Sequence, residues 1–256
     1  MPVLPFPEPL AAVLVGFAVS QLANLATTVY LHRAAAHRAV RLRPPLTFAF
    51  RFIVWVTVGL KPREWVAVHR KHHAYTDVEG DPHSPKLLGW VRVQFTNAAL
   101  YRREARKPET MRRYAKDMPP DWWDRHVFDH AFVGLAIGIG VLIVLLGPVW
   151  GLVAALAHTV FYIGLGGAVN GIAHHFGRRP YDNSAGNVGW LALMTSGEGW
   201  HNNHHAAPTS ARLGHHWWEV DFGWWAISAF RALGLAKVRL ERVVLITPKD
   251  RDAVAA

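Results

Sequence analysis

The chain alternates between long uncharged apolar runs and blocks crowded with cations and histidines. Leu10 to Leu31 is 22 residues without a charge, and Phe132 to Val169 is 38 without one, interrupted at Gly147-Pro148. A spanning helix needs about 20 mostly apolar residues. The first run therefore predicts one such helix, about 10–31, and the second predicts two, about 128–146 and 149–170, joined by a tight turn. A third apolar run, Leu46 to Leu60, has 15 residues and contains Arg51; it is too short to cross and predicts an interfacial or protein-buried helix. No cation precedes the first run and Arg33 follows at once, unlike a signal peptide. Pro2, Pro5, Pro7 and Pro9 predict an unstructured lead-in, while Pro44-Pro45 and Asp77 to Pro85 read as breakers. Gly177 to Gly189 reads as a polar loop. Residues 215–247 read as helix plus tail, with Trp217, Trp218, Trp224 and Trp225 suited to a membrane interface.

Charge placement sharpens this picture. Of the 28 Lys and Arg, none lies in residues 1–31, 19 lie in 32–126, none in 127–177 and 9 in 178–256. Nucleic-acid binding does not call for such cation-free stretches, and no nucleic-acid partner is expected. Basic blocks between apolar segments follow membrane topology, with cations on the cytoplasmic side. The expected fold is an all-α integral membrane protein: one domain over 1–256, three spanning helices, and a cytoplasmic helical cap from 32–126 and 171–256. The densest block, 101–116, holds seven basic and two acidic residues. It reads either as a solvated face on anionic lipid or as an anion-binding segment, with Arg102, Arg103 and Arg106 as the candidate phosphate partners.

Cys is absent, which removes disulfides, thiolate metal sites and thiol nucleophiles. Sixteen His stand instead, most of them in four clusters: His32 and His37; His69, His72 and His73; His174 and His175 after Asn170; and His201, His204 and His205. In each HxxHH box the spacings i, i+3 and i+4 bring the imidazoles to one side of a helix, and Asn170 and His174 do the same. His32 and His37, five apart, diverge by about 140° on an ideal α-helix; they either bracket a site or the helix unwinds between them. Imidazole suits Zn, Cu, Fe and Ni. Nine His and one Asn exceed the needs of one ion, so two metals are implied. Two redox-active irons at the membrane boundary would suit oxidation of a lipid chain.

The order HxxxxH, HxxHH, NxxxH, HxxHH, with GEGWHNNHH, WVAVHRKHH and TDVEGDPHSP, resembles the membrane fatty acid desaturases, especially the stearoyl-CoA desaturase-like bacterial branch, from about residue 12 to 240. The resemblance implies a di-iron centre, O₂ as co-substrate, and a double bond introduced into a saturated acyl chain carried on CoA or on lipid. It implies as metal ligands His32, His37, His69, His72, His73, His174, His201, His204 and His205, with Asn170 acting through a water. Glu198 either orients a ligand histidine or caps a helix. The start reads as too short for the extra amino-terminal helix of some relatives, and no cytochrome b5-like extension is expected. Electrons are therefore expected from a separate ferredoxin, rubredoxin or cytochrome type of protein and its reductase. The expected location is the bacterial inner membrane, with the active site facing the cytoplasm.

A lipid or fatty acyl hydroxylase on the same scaffold is the alternative, since residue types alone do not separate the two outcomes. A metal transporter would need ligands along a path through the bilayer, whereas only His158 falls inside one. His158 is expected to make a neutral interhelical hydrogen bond, His175 to pack near His174, and His83 to hydrogen-bond within the GDPHSP turn.

Overall fold

The computed structural model describes residues 8–241, and two long helices form its framework. α1 (Glu8–Ala26) continues without a break into a π-helical segment, Thr27–Ala36, so one rod runs from Glu8 to Ala36. α8 (Pro148–His175) is the second rod. Both are long and apolar enough to cross a membrane. Small residues let them approach closely, as expected where apolar solvent supplies no hydrophobic drive. A Cβ on Gly16 would strike the Ala154 carbonyl, and Phe17 meets Phe161 edge to face at 5.2 Å. At the end away from the histidines Trp150 Nε1 donates to Glu8 Oε2 at 2.7 Å. His158 Nε2 donates to the Thr57 carbonyl at 2.8 Å, the expected interhelical bond.

α7 (Ala131–Leu146) folds back on α8 through Gly147, whose φ of 82° suits glycine. It has 16 residues, fewer than the expected run over 128–146, because Asp124–Phe128 winds into a separate π turn. α8 in turn outlasts its expected end at 170 and carries Asn170 and His174 on one uninterrupted helix.

Pro44-Pro45, expected to break structure, instead opens α2 (Pro44–Val58). Proline suits the first helical turn, where its missing N–H is not needed. α3 (Pro62–Ala74), α4 (Pro85–Leu88) and α6 (Pro108–Tyr114) open the same way. α2 buries Phe50, Val54 and Trp55, exposes Phe48 and Phe52, and lies against Gly134 and Gly138 of α7. Arg51, the one charge in this run, is held by Asp121 at 2.7 Å and Asp124 at 2.6 Å. Gly59, at φ 60°, ends α2 and turns the chain into α3.

The cap comprises α3, α4, α5 (Trp90–Ala105), α6, α9 (Gly189–Met194), α10 (His201–Ala206) and α11 (Phe222–Ala232). α5 packs along the inner half of α8, where Gln94 Nε2 donates to the Gly164 carbonyl at 2.9 Å. The basic block breaks at Lys107 into the end of α5 and the start of α6. Glu104, buried there, takes Lys71 at 2.7 Å and Lys107 at 2.8 Å. These partners outweigh its burial and hold its carboxyl down at about 2. The expected helix in 215–247 is α11, followed by β2 (Ala236–Val238), which pairs antiparallel with β1 (Val40–Leu42). That ribbon was not expected, since three-residue strands carry no readable alternation. A core of Val29, Leu31, Val54, Trp224 and Ile227 seals the rod's end against α2 and α11. The lead-in at Pro2, Pro5 and Pro7 and the tail beyond 241 lie outside the described residues, and Pro9 already belongs to α1.

Gly16→Val should destabilise the α1–α8 contact by roughly 1–3 kcal/mol, the usual cost of overpacking. Gly140, with nothing within 4 Å of its would-be Cβ, should accept valine. Thermal unfolding of the two variants in detergent checks the contrast, and equal melting would show that α1 does not seat on α8 as described.

Candidate metal centre

Each histidine cluster reaches the centre by a different local device. His32 and His37 sit in and just after the π-helical segment, where the His37 N–H bonds the His32 carbonyl at 3.0 Å. An i→i+5 bond stacks residues five apart on one face, and the two rings lie 4.9 Å apart. The helix therefore widens rather than unwinds. Ala39 N–H bonds the Arg33 carbonyl just beyond, and Arg38, at φ 54°, turns the chain out.

Arg33 is fully buried on the same rod. It reaches Asp221 at 2.7 Å and the Ala211 carbonyl at 2.9 Å, pinning the first cluster to the loops around the last. His69, His72 and His73 occupy the last two turns of α3, with His69 stacked on Trp65 at 4.8 Å.

α10 is only six residues long, too short to persist alone. The asparagines inside its HNNHH hold it. Asn202 Nδ2 donates to the carbonyls of Tyr181 and Ala185 and to Asn183 Oδ1 at 2.9–3.0 Å. Asn203 Nδ2 donates to the Leu213 carbonyl and Glu219 Oε2, both at 2.9 Å, and Asn187 donates to Asn203 Oδ1 at 2.7 Å. Every polar position between these histidines is thus spent on fixing the helix that carries them.

Together these devices converge nine imidazoles into two groups. One holds His32, His37, His69, His73 and His204; the other holds His72, His174, His201 and His205, and within each group the ligand atoms lie within 4.8 Å of one another. In the first, Nε2 of His204 is 3.0 Å from that of His32 and 2.9 Å from that of His73, and His37 and His69 approach to 2.7 Å. In the second, His201 is 2.9 Å from His174 and 3.2 Å from His205, with His72 and His205 at 3.4 Å.

Burial holds His37, His69, His73, His201, His204 and His205 well below the usual histidine range, and neighbouring imidazoles push the same way. Neutral rings meeting at Nε2 share too few protons for every contact to be a hydrogen bond. A cation answers that deficit. Imidazole nitrogens about 2.0–2.1 Å from a first-row ion lie about 3 Å from each other, which matches the separations seen. The donor set fits two metal ions.

Carboxylates behind the rings fix their tautomers, the usual arrangement around ligating histidines. Glu198 Oε1 takes His32 Nδ1 at 2.7 Å and also accepts from Thr28. Its burial raises its carboxyl, and His32, Arg33 and Thr28 outweigh that and hold it below the usual range. Asp81 takes His72 Nδ1 at 3.0 Å, and Asp77 takes His174 Nδ1 at 2.9 Å. Burial raises both carboxyls too, and the histidines lead the groups that bring them low. Asp77 and Asp81 were not singled out in the sequence, although both stand in TDVEGDPHSP, four and eight residues past His73. A carboxylate just after a ligand box, in a turn that returns it to the helix end, is the signal that finds them.

Other residues fall outside the two groups. Asn170 Nδ2 donates to Asn97 at 2.9 Å, leaving its carbonyl oxygen one turn before His174. His175 is exposed against Trp90 and Phe176. His83 lacks its expected hydrogen bond: it is buried, both ring nitrogens lack a partner, and it stacks on His72 at 4.7 Å. The turn spends its bonds on Asp81, which accepts the His83 backbone N–H, and the imidazole keeps a ring nitrogen within 4.8 Å of ligand atoms of His72 and Asp81. Arg102, Arg103 and Arg106 are exposed at the end of α5, outside both groups.

The fatty acid desaturase family model matches residues 7–239 of this chain. Delta-9 acyl-lipid desaturase 2 of Arabidopsis thaliana is 32% identical to it, over 91% of this chain and 76% of the relative. The sn-2 palmitoyl-lipid 9-desaturase of Nostoc sp. (strain 36) is 34% identical over 80% and 73%, and the sn-1 stearoyl-lipid 9-desaturase of Synechocystis sp. is 32% identical over 84% and 67%.

Asp81→Asn should weaken metal retention about 10–100-fold in chelator competition while leaving helical content unchanged. His175→Ala, outside both groups, should leave retention as it is. Equal retention in Asp81→Asn and the parent protein would remove Asp81 from the support of His72.

Proposed function

The chain belongs to the fatty acid desaturase family, and from that premise we propose that it is a di-iron enzyme using O₂ to place a double bond at C9 of a saturated, lipid-linked acyl chain. The observation that carries this reading is the pair of histidine groups, five rings and four, buried against each other at the inner ends of α1 and α8. Two irons held there would supply the redox chemistry that removes two hydrogens from adjacent unactivated methylenes. Position and carrier follow the names of the relatives, which act at C9 and on acyl-lipids.

The roles of the chain's own residues follow from their contacts. His32, His37, His69, His73 and His204 hold one ion; His72, His174, His201 and His205 hold the other. Asn170 completes the four-ring group through a water, its carbonyl oxygen one helical turn from His174. Glu198, Asp77 and Asp81 keep His32, His174 and His72 protonated at Nδ1 and so present Nε2 to the metal. Being buried and ionised, these carboxylates also offset the charge of the cations. Arg102, Arg103 and Arg106 serve a phosphate-bearing carrier if the acyl group arrives on CoA. With lipid as the carrier they meet the membrane surface. Electrons come from a separate carrier protein and its reductase.

The convergence supports a common side for the histidine boxes. All three histidine boxes meet in one centre, so residues 32–37, 69–73 and 201–205 share one side of the membrane. The α7–α8 hairpin lies between the second and third boxes, returning the chain to that side, and α2 does not cross. Both basic blocks then face the cytoplasm.

Purified protein should carry about two irons per chain, the metal these ligands and this chemistry call for. His72→Ala or His204→Ala should abolish product while leaving the protein inserted. Mass spectrometry of the product should show loss of two hydrogens with the double bond at C9; gain of an oxygen instead would make the enzyme a hydroxylase. A single zinc per chain would overturn the metal assignment.

In this Cys-free chain, a cysteine placed at position 148 should label with an impermeant thiol reagent in intact cells. One at position 107 should label only after permeabilisation. The reverse pattern would invert the topology.

A further inference from the structure

We propose that the cationic face behind the π-helical segment is the docking surface for an acidic one-electron carrier protein, and that electrons cross this segment to the five-histidine group. The inference rests on the desaturase reading, which requires two external electrons per double bond. The segment Thr27–Ala36 is a wall with two faces. His32 and His37 project from one into the histidine centre. Tyr30 and Ala34, four apart and so on a common face, form the floor of a cavity of about 850 Å³ on the other. The β ribbon supplies its apolar side through Val40, Leu42 and Val238, and Arg38, Arg41, Lys237 and Arg239 stand around it.

A second cavity, about 400 Å³, adjoins the first, shares Arg38, and adds Ala36, Arg113 and Lys116. Among the described residues, Asp117 is the only carboxylate lining either one, and it is already committed to Arg38 and Arg70. Among the described residues, Arg41, Lys237, Arg239, Arg113 and Lys116 form no ion pair, and all five are exposed. Cations so close together repel one another, and this patch keeps them unneutralised beside the metal ligands.

The floor decides which partner fits. It is an intact hydrogen-bonded helix, braced by Arg70, which donates to the carbonyls of Ala35 and Ala36 at 2.9 and 3.0 Å. An acyl chain laid in the cavity meets backbone, not the centre. An electron needs only proximity, and one helix wall separates the cavity from His32 and His37. An apolar hollow ringed by cations complements a carrier whose redox group lies under an apolar tip ringed by carboxylates, and such charge pairing steers encounter. The balance is RCH₂CH₂R′ + O₂ + 2 reduced carrier + 2 H⁺ → RCH=CHR′ + 2 H₂O + 2 oxidised carrier. Each docking event delivers one electron, and the carrier is the species oxidised.

The test uses the iron-loaded full-length protein in phosphatidylcholine nanodiscs, with fluorescently labelled plant-type [2Fe–2S] ferredoxin as probe. The triple variant Arg41→Glu/Lys237→Glu/Arg239→Glu should raise the ferredoxin Kd about tenfold or more and flatten its salt dependence. Lys86→Glu/Arg92→Glu, equally exposed and lining neither cavity, should leave both unchanged. Enzyme reduced chemically, desalted and then given O₂ should form the same single-turnover product in the triple variant as in the parent, showing that the centre is intact. An unchanged Kd in the triple variant, or an equal rise in the control, overturns the docking surface. So does a triple variant that loses only affinity for phosphatidylglycerol vesicles, which would make the face a lipid contact. Absence of single-turnover product in the parent protein would count instead against the desaturase reading.

Discussion

The constraint on which the rest of the structure depends is the meeting of nine imidazoles, nitrogen to nitrogen, at separations of 2.7–3.4 Å that leave no room for a water between them. Lone pairs about 3 Å apart suit a cation between them, and negative charge behind the rings suits that cation. Asp77, Asp81 and Glu198 supply that charge one ring away, each through an Nδ1–H bond. The long rods, the proline-opened α3 and the asparagine-clamped α10 bring four separate stretches of chain to one point. Much of the buried polar content of the molecule serves that convergence, including Arg33 with Asp221 and Asn202 with the 181–185 loop.

The fold was legible where periodicity or length spoke plainly. The rods and the α7–α8 hairpin follow from apolar run lengths, and both HxxHH boxes lie on helices as their spacing required. The nine histidines brought together are the nine that the family resemblance implied. What was not legible depended on backbone choices the side chains do not announce. Pro44-Pro45 carries the same turn signal whether it ends a segment or opens a helix. The β1–β2 ribbon is joined across nearly the whole chain by three residues a side. Five-residue spacing between His32 and His37 argues against a common face in an α-helix, and only a change of helix type reconciles it.

The cap and the rods divide the work. α1 and α8 emerge from the apolar region still helical, so the first and third histidine clusters inherit the rigidity of the spans. The HxxHH boxes come from shorter helices whose ends are tied by side chains rather than by length. Geometry at the centre is therefore set partly by the packing of Gly16 against Ala154 between the rods, distant from any ligand.

The widened helix after Ala26 has a consequence for how such chains can vary in length. Upstream of Thr27, residues can be added or lost in the apolar span, and the rod merely lengthens or tilts in a bilayer of different thickness. Between His32 and His37 no such freedom exists. Losing one residue there would favour ordinary i→i+4 bonding and place the two rings on one α-helical face four apart, but with Arg33 rotated away from Asp221. Gaining one would separate the rings. The segment acts as a fixed gauge between a membrane of adjustable thickness and a centre that admits no adjustment.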